Sequence, residues 1–319
     1  MSNFTITIVG AGVIGASMGL ALKQSKEPPR IISHDKDLAI ANAGVKLDAF
    51  DKAEWNLVNA CEQADLVILT IPLNGIRLTL EAIGPYLKQG AVISDTTPNK
   101  AQVLAMAAEL LPPHVHYVGG NPIVLPAGSG QEHAAANLFR DKLYCLTPAP
   151  AAAETAVQTM VGLVSLLGAE PFFLDAAEHD GLTAAVDALP ALVSTSLVNT
   201  LAGQGSWREL RKVAGGMFEQ VSAGASGNPD ALKDSWLAHR AGLAHWLEIY
   251  IDQLTRIQAL LAAADDASGE ALADLIDKAV VARRDWRADS QQGRLVDPGF
   301  QSPPLEKTSF MKQLLGFRR

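Results

Sequence analysis

The chain has 319 residues, 48% hydrophobic and 19% charged, which is enough apolar mass for a full core and a length that favours two domains. A formal net charge of −8 and a pI near 5.4 exclude nucleic acid and a polybasic membrane face as natural partners, because both call for a cationic excess. Small-molecule chemistry is what remains.

The first ten residues, MSNFTITIVG, lack the basic and apolar regions of a signal peptide, and the two cysteines, Cys61 and Cys145, have no metal-ligand spacing. A reducing, cytoplasmic setting is expected. FTITIV at 4–9 is a β-branched run that reads as a strand. It ends in glycines and passes into VIGASMGLALKQS, whose apolar positions have helical spacing. Short apolar runs recur at 30–34, 65–71, 90–94, 115–118 and 142–147, separated by helix-like segments at 75–88 and 99–111. This alternation predicts an α/β fold, a mostly parallel sheet with helices on both faces. One more helix at about 152–168 and the run EPFFL complete a first domain, 1–174.

From 175 to 288 the pattern is helical. On the helix from about 177 to 202, Leu182, Val186, Leu189, Val193 and Leu197 make an apolar stripe at spacings of three and four. Leu243, Leu247, Tyr250, Leu254, Ile257 and Leu261 form a second seam, suited either to a bundle core within the chain or to a dimer interface. The longest uncharged stretch, 188–207, carries too many polar residues for the roughly 20 apolar positions of a membrane span, so no membrane segment is expected. A C-terminal tail, 289–319, is rich in Pro, Gly and polar groups and ends SFMKQLLGFRR. Such an end frays, docks on its own surface, or touches a membrane or partner.

GAGVIG supplies Gly10, Gly12 and Gly15 in G-x-G-x-x-G spacing, after a predicted strand and at the opening of a helix. Asp35 stands at the end of the next strand, which is the context that gives the motif meaning. Gly10 makes the turn, Gly12 admits a pyrophosphate, Gly15 lets helix and strand pack closely, and Val13 and Ile14 begin the helix whose free N–H groups meet the phosphates. Asp35 accepts from a ribose 2′-OH and repels a 2′-phosphate, so NAD is the expected cofactor; the adjacent Lys36 keeps NADP possible. TIPL at 70–73, with Ile71 and Pro72, closes the following strand at the edge where ligands sit. His114 and His116 share a strand face but lack a third ligand, so no metal site is predicted.

Taken together, IVGAGVIGASMGLALK, ADLVILTIPL, VISDTTPNK, YVGGNP, LLGAEPFFLDAAEHD and GNPDALKDSW resemble the prephenate/arogenate dehydrogenase family of tyrosine biosynthesis, over residues 4 to about 262. The resemblance implies a Rossmann domain followed by an all-helical dimerisation domain, a homodimer through that domain, and NAD(P)-dependent oxidation of a small molecule. It also marks departures. In DTTPNK, Asp95 and Lys100 are kept, but Pro98 takes the family's serine position. Asn121 replaces a substrate-holding histidine in the loop YVGGNPIVLPAGSG, 117–130. Ala188 and Ala191 stand where the family has two helix histidines, the first of which takes the hydroxyl proton. AGGMFEQVS lacks the arginines that grip substrate carboxylates.

Oxidising a hydroxyl needs a base within hydrogen-bond reach of its proton, and neither alanine can serve. The candidate catalytic residues are therefore Asp187, Asn121 and Lys100. Asp187, the only charge between Asp180 and Arg208, would have its pKa raised beside a cofactor cleft. Asn121 and Lys100 would orient a substrate by hydrogen bonds, unless Lys100 serves only the first turn of its helix. His179 and Asp180 read as the start of the long helix, with the acid favouring its dipole. Three functions stay open. One is a dehydrogenase of the prephenate class with an altered substrate, another an imine or ketone reductase using Asp187, and the third a non-catalytic NAD-binding dimer.

Overall fold

The computed structural model describes residues 4–291 apart from Ser129 and Ala264; the predicted tail lies, beyond Gln291, outside the described residues. It divides into two compact units between His179 and Asp180, a few residues past the boundary read from composition.

The first unit holds eight strands: β1 Thr5–Val9, β2 Arg30–His34, β3 Lys52–Ala53, β4 Leu66–Leu69, β5 Val92–Asp95, β6 His116–Pro122, β7 Leu143–Pro148 and β8 Glu170–Phe173. They form one sheet in the order β3-β2-β1-β4-β5-β6-β7-β8. Every neighbouring pair is parallel except β6 and β7. Among its described residues the connection between those two contains a single 3-10 turn, Gln131–His133, and no full helix to carry the chain back across the sheet, so the strand reverses. The two-residue β3, at the sheet edge, was not read from the sequence.

Helices α1 Val13–Lys23, α2 Leu38–Lys46, α3 Leu57–Cys61, α4 Leu73–Ile83, α5 Lys100–Leu110 and α6 Glu154–Leu166 accompany the strands. Two apolar clusters result. Ile6, Ile8, Leu66 and Ile68 join Met18, Leu22 and Leu163 in one, while Val67, Leu69 and Ile93 join Ile76, Leu80 and Val103 in the other. Alternate residues of β4 thus enter opposite clusters, as a central strand buried on both faces requires.

The second unit is helical. Helix α7 Ala176–Thr183 runs through one π-turn, Ala184–Ala188, into α8 Leu189–Ala202. Pro190 supplies the reason for the π-turn, since it has no N–H to give the carbonyl four residues back and its ring crowds that carbonyl. Then come α9 Trp207–Val213, α10 Gly216–Ser222, α11 Pro229–Ala238, α12 Arg240–Ala263 and α13 Asp266–Gln291. Among the described residues of this unit, the buried hydrophobic side chains are Ala184, Ala188 and Leu243, whereas Leu182 and Val186 of the predicted stripe are exposed. By length and composition alone, the helix Ala176–Ala202 is long and apolar enough to cross a membrane, with a mean hydropathy of 1.5 over its best window. Its Ala, Leu and Val content outweighs the Ser, Thr and Asn that argued otherwise.

Candidate functional site

Each glycine of the turn after β1 occupies a different environment. Gly10 has φ +101°, and a Cβ on it would lie 2.5 Å from the Thr70 carbonyl oxygen. On Gly15 a Cβ would lie 2.2 Å from the Gly10 oxygen, but on Gly12 it would meet nothing within 4 Å. Gly10 and Gly15 are therefore required by the fold, while Gly12 faces open space that a ligand can fill. Gly12 also caps α1 without any side-chain bond, and the first helical bond at this end runs from Ala16 N–H to the Gly12 carbonyl at 2.9 Å. The N–H groups of Val13, Ile14 and Gly15 precede it, as an anion cradle needs.

Asp35 follows β2. Its carboxylate accepts from Ala11 N–H at 2.8 Å and Asp37 N–H at 3.0 Å, so it is locked to the turn and half-exposed. Thr70 Oγ1 donates to the Gly10 carbonyl at 2.5 Å, with Ile71 packed beside Gly10 and Pro72 exposed ahead of α4. Gln131 was not singled out by the sequence; its amide donates to the Ala11 carbonyl and, at 2.9 Å, to Ile40, tying the loop after β6 to the glycine turn.

Asp95 and Lys100 are both fully buried and form an ion pair of 2.5 Å. Tyr117 O–H and Thr97 O–H each donate to Asp95 at 2.6 Å, and Lys100 donates to the Gly120 carbonyl at 2.6 Å. Lys100 is the first residue of α5, the alternative that the sequence left open for it, and with no exposed surface it orients the end of β6. The residue so placed is Asn121, 8% exposed, whose Nδ2 lies 3.1 Å from Nε2 of the buried His179. An amide N–H donating to Nε2 leaves the Asn121 oxygen to accept from another group. Cys145, opposite Asn121 in the β6–β7 register, is no thiolate nucleophile, because burial pushes its pKa up to about 11 against a smaller pull from Lys100.

In the second unit Asp187 sits in the π-turn, the kind of helical irregularity that recurs at functional sites. Its side chain keeps accessible surface, yet the surrounding protein mass raises its pKa by desolvation, and the charge of His239 pulls it back. His239, also passed over in the sequence, is 3% exposed and 3.1 Å from Thr183 Oγ1. Two buried imidazoles therefore stand near candidate residues. Among the described residues, no three His, Cys, Asp or Glu side chains gather as metal ligands.

Comparison with known proteins gives these features a family. Residues 18–172 match the prephenate dehydrogenase nucleotide-binding domain, and residues 175–277 match the prephenate dehydrogenase dimerization domain. The chain is 27% identical to the prephenate dehydrogenase of Bacillus subtilis over 256 residues, 80% of this chain and 69% of that protein. It is 25% identical to the cyclohexadienyl dehydrogenase of Zymomonas mobilis over 262 residues, 82% of this chain and 89% of the relative. Prephenate dehydrogenase from A. aeolicus, solved with hydroxyphenyl propionate and NAD+, shares the fold with a TM-score of 0.81 at 22% identity, covering 89% of this chain and 99% of that one. With a nucleotide-binding and a dimerization domain in that order, the chain belongs to the prephenate dehydrogenase family and is an NAD(P)-dependent dehydrogenase of it.

Proposed function

We propose that this chain uses NAD to oxidise a cyclohexadienyl substrate of the prephenate class, gripping it and moving its proton with groups of its own. The observation that carries the reading is the glycine turn, open only at Gly12, above the uncapped N-terminus of α1. Gly10, Gly12, Val13, Ile14 and Gly15 would hold the pyrophosphate, and Ile71 and Pro72 would border it. Asp35 would bind the ribose 2′-OH, where a 2′-phosphate would meet both its charge and that of Asp37 at the head of α2. When bound, the nicotinamide takes up hydride. Asn121 would accept a hydrogen bond from the substrate through its side-chain oxygen.

Alanine at 188 and 191, and the absence of arginine from 214–222, favour a substrate other than prephenate. Prephenate and arogenate should each be turned over slowly, and NADH fluorescence should reveal binding that Gly12→Val removes. Unchanged binding in Gly12→Val would reject the nucleotide site, and a rapid prephenate reaction would reject the altered substrate. A second reading, reduction of a C=N bond, is favoured by the raised carboxyl pKa of Asp187, since a carboxyl group that holds its proton longer can donate it to an imine nitrogen. There, Asp187→Ala should remove cyclic-imine reduction.

A further inference from the structure

A dinucleotide held at Gly12 and Asp35 also carries an adenine, a flat ring that gains by leaving water. The sheet of the first unit begins in the order β3-β2-β1. The glycine turn follows β1 and Asp35 follows β2, so the end of β3 is the next position outward. Pyrophosphate, ribose and adenine succeed one another in the dinucleotide in that same direction. Just past β3 stands Trp55, 70% exposed and the single tryptophan of residues 1–179.

The pairing of the two strands fixes the level of Trp55. Ile32 is paired with Lys52 and Ser33 with Ala53 in parallel register, and counting on by two brings Asp35 level with Trp55. The chains stay side by side beyond the strands, because Glu54 N–H donates to the Ser33 carbonyl at 2.8 Å and His34 Nδ1 lies 2.9 Å from the Glu54 carbonyl. Neighbouring strands are about 4.8 Å apart. Alternation fixes the face. Ile31 and Ala53 pack in the apolar cluster that contains Met18 and Leu22 of α1, and two residues on, Asp35 and Trp55 continue that face. Asp35 accordingly reaches the turn that opens α1, at Ala11 N–H. The side chains flanking Trp55 are engaged along their own chain: Glu54 with Lys52 at 2.6 Å, and Asn56, which caps α3, with Asn59 N–H at 2.9 Å. Trp55 is left as the side chain that this connection presents to solvent.

We propose that Trp55 is the adenine platform of the nucleotide site, its indole face stacking on the base of a nicotinamide adenine dinucleotide. The base is joined to the ribose carbon next to the one that bears the 2′-OH. A carboxylate holding that hydroxyl therefore keeps the base within reach of a side chain one strand away. Stacking covers apolar surface on both rings without any hydrogen-bond readout. The proposal rests on the reading that Asp35 binds the adenosine ribose.

Two experiments on the full chain test it. ADP-ribose, which has no nicotinamide to absorb tryptophan emission, should quench part of the fluorescence of the wild-type chain and leave that of Trp55→Phe unchanged. An emission unmoved by ADP-ribose, or a quench that survives in Trp55→Phe, overturns the proposal. In NADH titrations, Trp55→Ala should raise Kd by roughly 5- to 100-fold, and Trp55→Phe should recover most of the affinity. Both variants should keep the wild-type melting temperature, because the ring is exposed. An unchanged Kd in Trp55→Ala, or a Trp55→Phe chain as weak as the alanine variant, rejects the platform while the dinucleotide reading stands. Failure of the wild-type chain to bind NADH rejects that reading, and the platform with it.

Discussion

At the scale of single residues, the three glycines of one turn should separate binding from folding. Gly12→Val places its side chain in open space, so it should abolish NADH binding while leaving the thermal midpoint nearly unchanged. Gly10→Ala should do the reverse first, because φ +101° and the Thr70 carbonyl together cost about 1–3 kcal/mol or more; calorimetry of both variants distinguishes them. Asp187 offers a pH test. The native state holds its proton more tightly than the unfolded chain does, so the unfolded state binds fewer protons above the ordinary value of 3.8, and stability falls as pH rises through that window. Asp187→Asn should therefore raise the melting temperature at neutral pH, and the gain should vanish at pH values below the ordinary one, modestly because the carboxylate keeps accessible surface. A lower melting temperature for this variant at neutral pH would contradict the desolvation. The glycine turn and Asp35 were legible in the sequence because the motif carries its own spacing, three glycines within six residues and an acid at the end of the next strand. Asn121 with His179, and Thr183 with His239, were not, because those contacts span 58 and 56 residues and belong to packing rather than to spacing.

Among elements, the buried Asp95–Lys100 pair joins the end of β5, the start of α5 and the end of β6. Breaking it from one side leaves a carboxylate with no counter-charge in the interior, so Lys100→Met should lower stability by about 3–5 kcal/mol in denaturant unfolding. Adding Asp95→Asn to that variant should recover part of the loss; a double variant no better than the single would mean that the lysine contributes packing alone. Strand runs and their alternation with helices could be read from apolar pattern, since each strand buried on both faces leaves a continuous signal, as β4 does. The antiparallel turn of β7 against β6 could not, because it depends on what the intervening loop fails to form. The π-turn was equally hidden: Pro190 signals a disturbance in a helix but does not say that the chain will absorb it with one wide turn.

For the whole molecule, the second unit presents a problem that a single copy does not solve. Leu182, Val186, Ile249, Ile251, Leu254, Leu261, Ile276 and Val280 are all exposed, while the unit's buried hydrophobic residues among those described are two alanines and Leu243. Apolar surface on this scale marks an interface, and the match of residues 175–277 to a dimerization domain suggests a second copy as its occupant. The same cover would account for the apolar face of Ala176–Ala202, a helix that also meets the length and composition of a membrane span. Light scattering on the purified chain should then give twice the 33.7 kDa of one chain, without detergent. Ile251→Asp together with Leu254→Asp should shift that mass toward one chain and lower the melting temperature of the helical unit, while NADH binding to the first unit persists. A chain that is monomeric at micromolar concentration, or that needs detergent to stay in solution, would assign this face to another occupant.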